Sequence, residues 1–120
     1  MQEHVTECLP EEACGLLGGQ GGRAEIVLPV ENVLHSPSRF RMEPSEQIRA
    51  MTEIEQRGLE LMAIYHSHPS GPEVLSATDL AELAYPEAIY LLWYPTMGGW
   101  TCRAFDVSSG STEELPLRDR

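Results

Sequence analysis

The first part of the chain alternates between short apolar runs and breaks. The run EACGLLG at 12–18 leads into the glycine cluster GGQGG at 18–22, and RAEIVLPV at 23–30 alternates apolar and polar positions. Alternation with a period of two is typical of a strand, and a glycine cluster between two such runs favours a tight turn. The pattern predicts a β-hairpin from about 12 to 30. A loop should follow over 31–40, where proline and serine interrupt any period.

Three further segments have the composition of helices. Residues 3–9 predict the end of a short helix, and residues 76–84 predict another. Residues 43–58 predict the longest helix, because Pro44 stands in its first turn and Gly58 stands at a C-cap position. Apolar side chains recur on one face of that helix, at Ile48, Met51 and Ile54.

The remaining apolar runs predict strands. They lie at 59–65, 88–95, 100–107 and 112–117, and the glycine pair in TMGG at 96–99 predicts a turn between the second and third. Strands and helices alternate in the middle of the chain, and strands cluster at its ends. This order predicts the α/β class, with a single mixed, mainly antiparallel sheet flanked by two or three helices.

The acidic balance of the chain limits its partners. Its 19 acidic and 8 basic residues give a net charge of −11. A surface of that sign repels phosphate backbones and anionic lipid, so we expect no nucleic acid and no membrane among its partners. At 120 residues, 42% of them hydrophobic, the chain can bury a sizeable core. We therefore expect a single domain over 1–120.

Three observations bear on the compartment. The N-terminal segment MQEHVTECLPEE is acidic and lacks the apolar core of a signal peptide. The longest apolar run, AIYLLWY at 88–94, is shorter than the roughly 20 residues that a membrane-spanning helix needs. Cys8, Cys14 and Cys102 form no CxxC pair, and their odd number suits a reducing compartment. We expect a cytoplasmic protein; its oligomeric state stays open, a homodimer included.

Two histidines close together give the chain its candidate chemistry. His66 and His68 occur in AIYHSHPSGPEVLSATD at 63–79, at the end of a predicted strand, where residues i and i+2 point to the same side. Asp79, in the first turn of the next helix, is a candidate third ligand. A catalytic zinc site commonly has three protein ligands and one water, whose pKa the metal lowers to about 7.

Such a site also needs a proton carrier and a group for the substrate carbonyl. Glu12 could take and return the proton from a partly buried position, and Ser76 could donate a hydrogen bond to a developing oxyanion. Each residue has a plainer alternative. The histidines could be satisfied polar residues, Glu12 could be an exposed carboxylate, and Ser76 with Asp79 could form a capping box.

The motifs resemble those of one family. HSHPSGPEVLSATD has the pattern H-x-H-P-x6-S-x2-D, which resembles the signature of the JAMM (MPN+) metalloproteases. EEACGLLGG resembles that family's strand with the catalytic glutamate, and GLELMAIYHSHP resembles its strand running into the histidines. ENVLHSPSRFRMEPSEQ resembles a stretch of its short prokaryotic members, except that Glu43 stands where Asp is usual before the proline. The N-terminal segment is short, so we expect a stunted first helix.

The resemblance implies a fold, a site and a reaction. The fold would be the JAMM type, which is similar in outline to cytidine deaminases. Zn²⁺ would be held by His66, His68 and Asp79. Glu12 would be the general acid/base, and Ser76 would polarise the scissile carbonyl. The reaction would be hydrolysis of a peptide or isopeptide bond after the C-terminal Gly-Gly of a ubiquitin-like protein. The chain has no visible insertion to grip a lysine-linked dimer, which favours a sulfur-carrier protein as substrate.

Other classes fit the sequence less well. A non-catalytic MPN-type scaffold is the main alternative, but such members lose the histidines or the aspartate. Amidohydrolase barrels need roughly 250 residues, and zinc deaminases need a CxxC pair that this chain lacks. A cysteine hydrolase would have to use Cys14, which lies inside an apolar run.

Overall fold

The computed structural model describes residues 1–81, 85 and 87–117. The elements in chain order are α1 (Gln2–Glu7), β1 (Cys14–Gln20), β2 (Arg23–Val30), α2 (Pro44–Gln56), β3 (Glu60–Ser67), α3 (Ala77–Ala81), β4 (Ile89–Thr96), β5 (Gly99–Asp106) and β6 (Glu113–Leu115). Within the described residues the strands form one sheet in the order β2-β1-β3-β4-β5-β6. Only β3 and β4 pair in parallel there. The predicted α/β class is confirmed, with a mixed, mainly antiparallel sheet.

The predicted β-hairpin is β1 and β2. Gln20 pairs with Arg23, so the connection consists of Gly21 and Gly22 alone. Their φ angles are 60° and 77°, the left-handed region that a two-residue turn joining twisted strands requires and that glycine adopts freely. The segment after β2, residues 31–43, is irregular and is called the β2–α2 loop below.

The long helix α2 starts where the sequence indicated. Glu43 is its N-cap, and the carboxylate accepts hydrogen bonds from Ser45 N and Glu46 N. Glutamate thus serves as the cap at the position where the resembled motif has aspartate. The predicted apolar face is wrong at one position. Ile54 is buried against the sheet, but Ile48 is 68% exposed on the helix surface.

Element ends differ from the sequence prediction by a few residues. α1 begins at Gln2 and ends at Glu7, and β6 is limited to Glu113–Leu115. α3 begins at Ala77, while residues 82–84 of that predicted helix lie outside the described part of the chain. The predicted turn at 96–99 is shorter, because Thr96 and Gly99 already pair across the hairpin.

β3 extends further than predicted, and this places the first histidine inside the sheet. His66 pairs with Cys14 on β1 and with Leu92 on β4. Pairing with β1 and β4 keeps the backbone of β3 extended through Ser67. The strand therefore ends closer to Pro69 than the apolar run suggested.

The sheet has a core on both faces. One face carries Leu16, Ile64 and Leu92 and is covered by α2 through Ile54. The opposite face carries Leu17, Tyr65 and Leu91, with Val5 of α1 packed on it. Because side chains alternate along a strand, His66 lies on the α2 face together with Ile64. No helix in the described part of the chain is long and apolar enough to cross a membrane.

Candidate metal centre

Four side chains from three parts of the chain meet at one end of the sheet; three are buried and the fourth, Asp79, is half-buried. Glu12 precedes β1, His66 is in β3, His68 follows β3, and Asp79 is in α3. Each offers one potential ligand atom, and these atoms lie within 4.8 Å of one another. Glu12 was expected at a strand start in a partly buried position. It stands instead two residues before β1 and is only 2% exposed.

Contacts between the two strands continue before the first residue of β1, at Ala13, and bring Glu12 beside His68. Ser67 N donates to Ala13 O at 3.1 Å, and Ala13 N donates to Ser67 Oγ at 2.8 Å. As a result, Oε2 of Glu12 lies 4.0 Å from Nε2 of His68.

The closest contacts converge on one carboxylate oxygen. Oδ2 of Asp79 lies 3.1 Å from Nε2 of His66 and 3.0 Å from Nε2 of His68. The two Nε2 atoms are 3.3 Å apart. Two imidazole nitrogens and a carboxylate oxygen therefore face one point.

The two imidazole rings are held differently. Nδ1 of His68 lies 2.8 Å from the carbonyl oxygen of Pro72, which can only accept, so Nδ1 carries the proton. In the neutral ring this leaves the lone pair on Nε2, toward Asp79. The ring of His66 stacks on Phe40 with centroids 4.7 Å apart, and its Nδ1 is buried with no hydrogen-bond partner among the described residues.

The environment shifts the pKa of each acid and base. Burial raises the pKa of Glu12 to about 8, an effect that His68 reduces and Asp79 reinforces. Burial lowers the pKa of His66. Burial alone would lower the pKa of His68 and raise that of Asp79, but the hydrogen bonds and opposite charges around each group together outweigh burial. The pKa of His68 is therefore raised, and that of Asp79 is held well below its usual range.

This donor set fits a metal ion. Imidazole nitrogen and carboxylate oxygen are ligands that zinc and other divalent ions accept. Oε1 of Glu12 is also buried without a hydrogen-bond partner among the described residues, which indicates a group held for a further contact. The four residues are a candidate metal site, although the donor types alone do not select one ion.

Ser76 joins the site through Asp79. Ser76 N donates to Asp79 Oδ2 at 2.8 Å, and Asp79 N donates to Ser76 Oγ at 2.9 Å. The capping-box interpretation of the sequence is confirmed. It does not compete with a role in the reaction, because Oγ accepts in this contact and its own hydrogen has no acceptor among the described residues.

Two features near the site were not found from the sequence. Phe40 stacks on His66, and Asn32 hydrogen-bonds to the backbone of Glu12. Both lie in the β2–α2 loop, and neither residue type at that spacing signals its contact. A cavity of about 240 Å³ opens beside His66 and Asp79, with Phe40 in its wall.

The cysteine alternative finds no support in the geometry. Cys14 is buried, and its Sγ donates to the carbonyl oxygen of Val30. Burial raises the pKa of this thiol to about 12, so it is a poor nucleophile at neutral pH.

An α/β fold with a mixed sheet, on which a His-His-Asp group lies beside a glutamate, has the features that the resemblance to the JAMM family implied. The chain belongs to the prokaryotic homologs of the JAB domain, a family whose model matches residues 1–106. The resemblance stated from the sequence is thereby confirmed.

Named relatives are similar over most of the chain. It is 39% identical over 113 residues to the probable TtuB-protein conjugate cleaving protease of Thermus thermophilus, covering 93% of this chain and 72% of that protein. It is 34% identical over 94 residues to the CysO-cysteine peptidase of Mycobacterium tuberculosis, covering 77% and 64%. It is 38% identical over 81 residues to the desampylase of Pyrococcus furiosus, covering 68% of this chain. This match spans only 58% of the desampylase.

A solved structure supports the same fold. The solution structure of protein DSY2949 from Desulfitobacterium hafniense matches with a TM-score of 0.84 at 33% identity, covering 96% of this chain and 82% of that one.

Proposed function

We propose that this chain is a zinc-dependent peptidase and isopeptidase that hydrolyses the bond after the C-terminal Gly-Gly of a ubiquitin-like sulfur-carrier protein. The observation that carries the proposal is the convergence of Glu12, His66, His68 and Asp79, whose potential ligand atoms lie within 4.8 Å of one another and of which all but Asp79 are buried. A scaffold that only binds partners has no need for a buried donor set of this kind, since burying such groups costs free energy.

His66, His68 and Asp79 are the proposed zinc ligands. Each turns a nitrogen or oxygen toward the same point, and the contact of His68 with Pro72 O fixes the tautomer that can ligate. Bound zinc supplies a Lewis acid that lowers the pKa of a coordinated water to about 7. Three protein ligands would leave a place for that water.

Glu12 is the proposed proton carrier. Its carboxylate accepts a proton from the attacking water and returns it to the leaving amine, so that the amine departs neutral. Burial favours this role, because it raises the pKa of Glu12 to about 8 in the metal-free protein, close to a working pH near neutrality.

Ser76 is the proposed partner of the scissile carbonyl. Its Oγ accepts a hydrogen bond from Asp79 N, and its own hydrogen has no acceptor among the described residues. A donor that is already in place when negative charge develops on the carbonyl oxygen stabilises the transition state without reorganisation.

The substrate class rests on the family and on its named members. The relatives above are named for cleaving a TtuB-protein conjugate and for a CysO-cysteine bond. Glycine lets a substrate backbone approach a buried site closely, which suits a Gly-Gly tail. We also propose that residues 1–120 are one domain that acts in the cytoplasm, where the free thiols of its three cysteines would persist.

A cleavage assay tests the proposal. The ubiquitin-like proteins ending in Gly-Gly from the same genome would be extended by one cysteine or by a short peptide, and also linked to a lysine side chain. Mass spectrometry should show that the zinc-loaded protein cuts the bond directly after Gly-Gly and releases the carrier with a free Gly-Gly end. Glu12→Gln should be inactive but keep its metal. If the carriers bind but are never cut, the scaffold alternative replaces this proposal.

A further inference from the structure

Asn32, the only asparagine of the chain, makes four hydrogen bonds from a buried position in the β2–α2 loop. Its Nδ2 donates to Glu12 O and to Arg39 O, both at 3.0 Å. Its Oδ1 accepts from Leu34 N at 3.1 Å and from Arg41 N at 3.0 Å. Both amide hydrogens and both lone pairs are thus in use. A buried amide that is fully satisfied by backbone groups holds the joined segments in one arrangement.

The backbone of Glu12 is held on both sides by the β2–α2 loop. Glu12 N donates to Ser36 O at 2.8 Å, and Glu12 O accepts from Asn32. The carboxylate itself is less firmly held than this backbone. Its Oε1 has no hydrogen-bond partner among the described residues, and its Oε2 is 4.0 Å from Nε2 of His68. The position of this carboxylate therefore depends on the backbone that carries it.

The same amide also fixes the ring that lies on His66. Asn32 bonds to the residues on either side of Phe40, through Arg39 O and Arg41 N. Phe40 in turn stacks on His66 at 4.7 Å. One side chain therefore links the segment of Glu12 to the loop that packs on a proposed ligand.

We propose that Asn32 is a positioning residue, which keeps the Glu12 carboxylate aimed at the point where His66, His68 and Asp79 converge. The inference rests on the proposed function of Glu12 as proton carrier. Asn32 contacts neither the substrate nor the ligand atoms, so its loss changes how well a proton moves more than how well substrate or metal binds. An error of about 1 Å in such a group can lower the rate by about 100-fold.

The test compares Asn32→Asp with wild type and with Val33→Ala. Aspartate keeps the shape of asparagine and can still accept from Leu34 N and Arg41 N, but an ionised carboxylate cannot donate to Glu12 O. Val33 is the next residue in the same loop, and its partly exposed side chain takes no part in these bonds. Asn32→Ala serves as a second variant, which removes the amide without placing a charge in the loop.

Three readouts separate positioning from a merely structural role. With the Gly-Gly-extended carrier, kcat of both Asn32 variants should fall about 100-fold, while KM and the zinc content per chain stay near wild type. Hydrogen exchange at the amide of Glu12 should accelerate in the metal-free protein, whereas exchange at the amide of Ser67, which bonds to Ala13 O, should not. Val33→Ala should match wild type in all three measurements.

Several results would overturn the proposal. In the two Asn32 variants, an unchanged kcat, an unchanged rate of hydrogen exchange at Glu12, or a loss of zinc that parallels the loss of activity would each contradict it. Failure of both variants to fold would assign Asn32 to folding instead. Failure of the proposed function is distinguishable, because the wild type would then cleave no carrier, while hydrogen exchange would still report whether Asn32 holds Glu12.

Discussion

Ser76 and Asp79 form two reciprocal hydrogen bonds, and the Asp79 oxygen that accepts one of them, Oδ2, also faces the two histidines. Oδ2 of Asp79 accepts from Ser76 N and lies within 3.1 Å of both Nε2 atoms. The start of α3 and the candidate metal site therefore share one carboxylate. The backbone amide of Ser76 orients a proposed ligand, and its hydroxyl is left at the edge of the same site.

Removing the hydroxyl of Ser76 should affect the reaction much more than the fold. In Ser76→Ala we expect kcat to fall by about 10²–10³-fold, the effect of losing one donor to a developing oxyanion. The loss of the cap should cost about 1 kcal/mol of unfolding free energy. Ser76→Thr retains a hydroxyl and should keep most of the activity. Equal kcat values for wild type and Ser76→Ala would remove Ser76 from the mechanism.

Metal binding should weaken in acid, because protons compete for His68. Burial alone would lower the pKa of this residue, but its hydrogen bonds to Asp79 and to Pro72 O raise it above the ordinary value of 6.5. Below that pKa the ring is protonated and cannot ligate, so affinity should drop by about tenfold per pH unit for each proton displaced. Competition with a chelator between pH 7.5 and pH 5 measures this. A constant affinity over that range would contradict the ligand assignment.

Glu12 should make the metal-free protein less stable as the pH rises. Its pKa is about 8 in the fold, because of burial, and near 4.5 when unperturbed. Between these values the folded state binds more protons than the unfolded state, so its stability falls with rising pH, by up to roughly 1.4 kcal/mol per unit. Glu12→Gln has no titrating carboxyl group at this position, so its stability does not carry this pH dependence. In chemical denaturation, the free energy of unfolding of the variant should rise relative to that of wild type from pH 5 to pH 8. If the two free energies change with pH in parallel, the burial effect is refuted.

Gly15 should be intolerant of even one added carbon. A Cβ built there would lie 2.3 Å from a ring atom of Tyr65, whose side chain is fully buried on the α1 face of the sheet. We expect Gly15→Ala to lower the free energy of unfolding by about 1–3 kcal/mol. Gly98→Ala is the matched control, because a Cβ at Gly98 meets nothing within 4 Å, and its change should stay within about 0.5 kcal/mol. Similar losses in both variants would contradict the packing argument.

Local patterns in the sequence were sufficient to predict much of the fold. Gly21 and Gly22 fix the first hairpin because only a two-residue left-handed turn fits between the alternating runs. Pro44 and the acidic residue before it mark the start of α2 for equally local reasons. The spacing of His66 and His68 likewise indicated a shared direction, which the structure has.

Other features depend on contacts between distant segments and left no local signal. The parallel pairing of β3 with β4 extends β3 through Ser67, and no pattern within the apolar run encodes that. Asn32 looked like a loop residue, yet its amide reaches Glu12, which lies 20 positions earlier. Ile48 shows the reverse error, since it follows the helical period but faces away from the core.

The most direct test of the metal site is the zinc content per chain of the purified protein, measured beside two histidine variants. Wild type should hold about one zinc ion, as a single set of three ligands implies. His68→Ala should lose it, and His35→Ala, which removes an exposed histidine outside the site, should keep it. A wild type that holds no zinc after zinc is supplied and the excess is removed would contradict the site, as would full retention in His68→Ala.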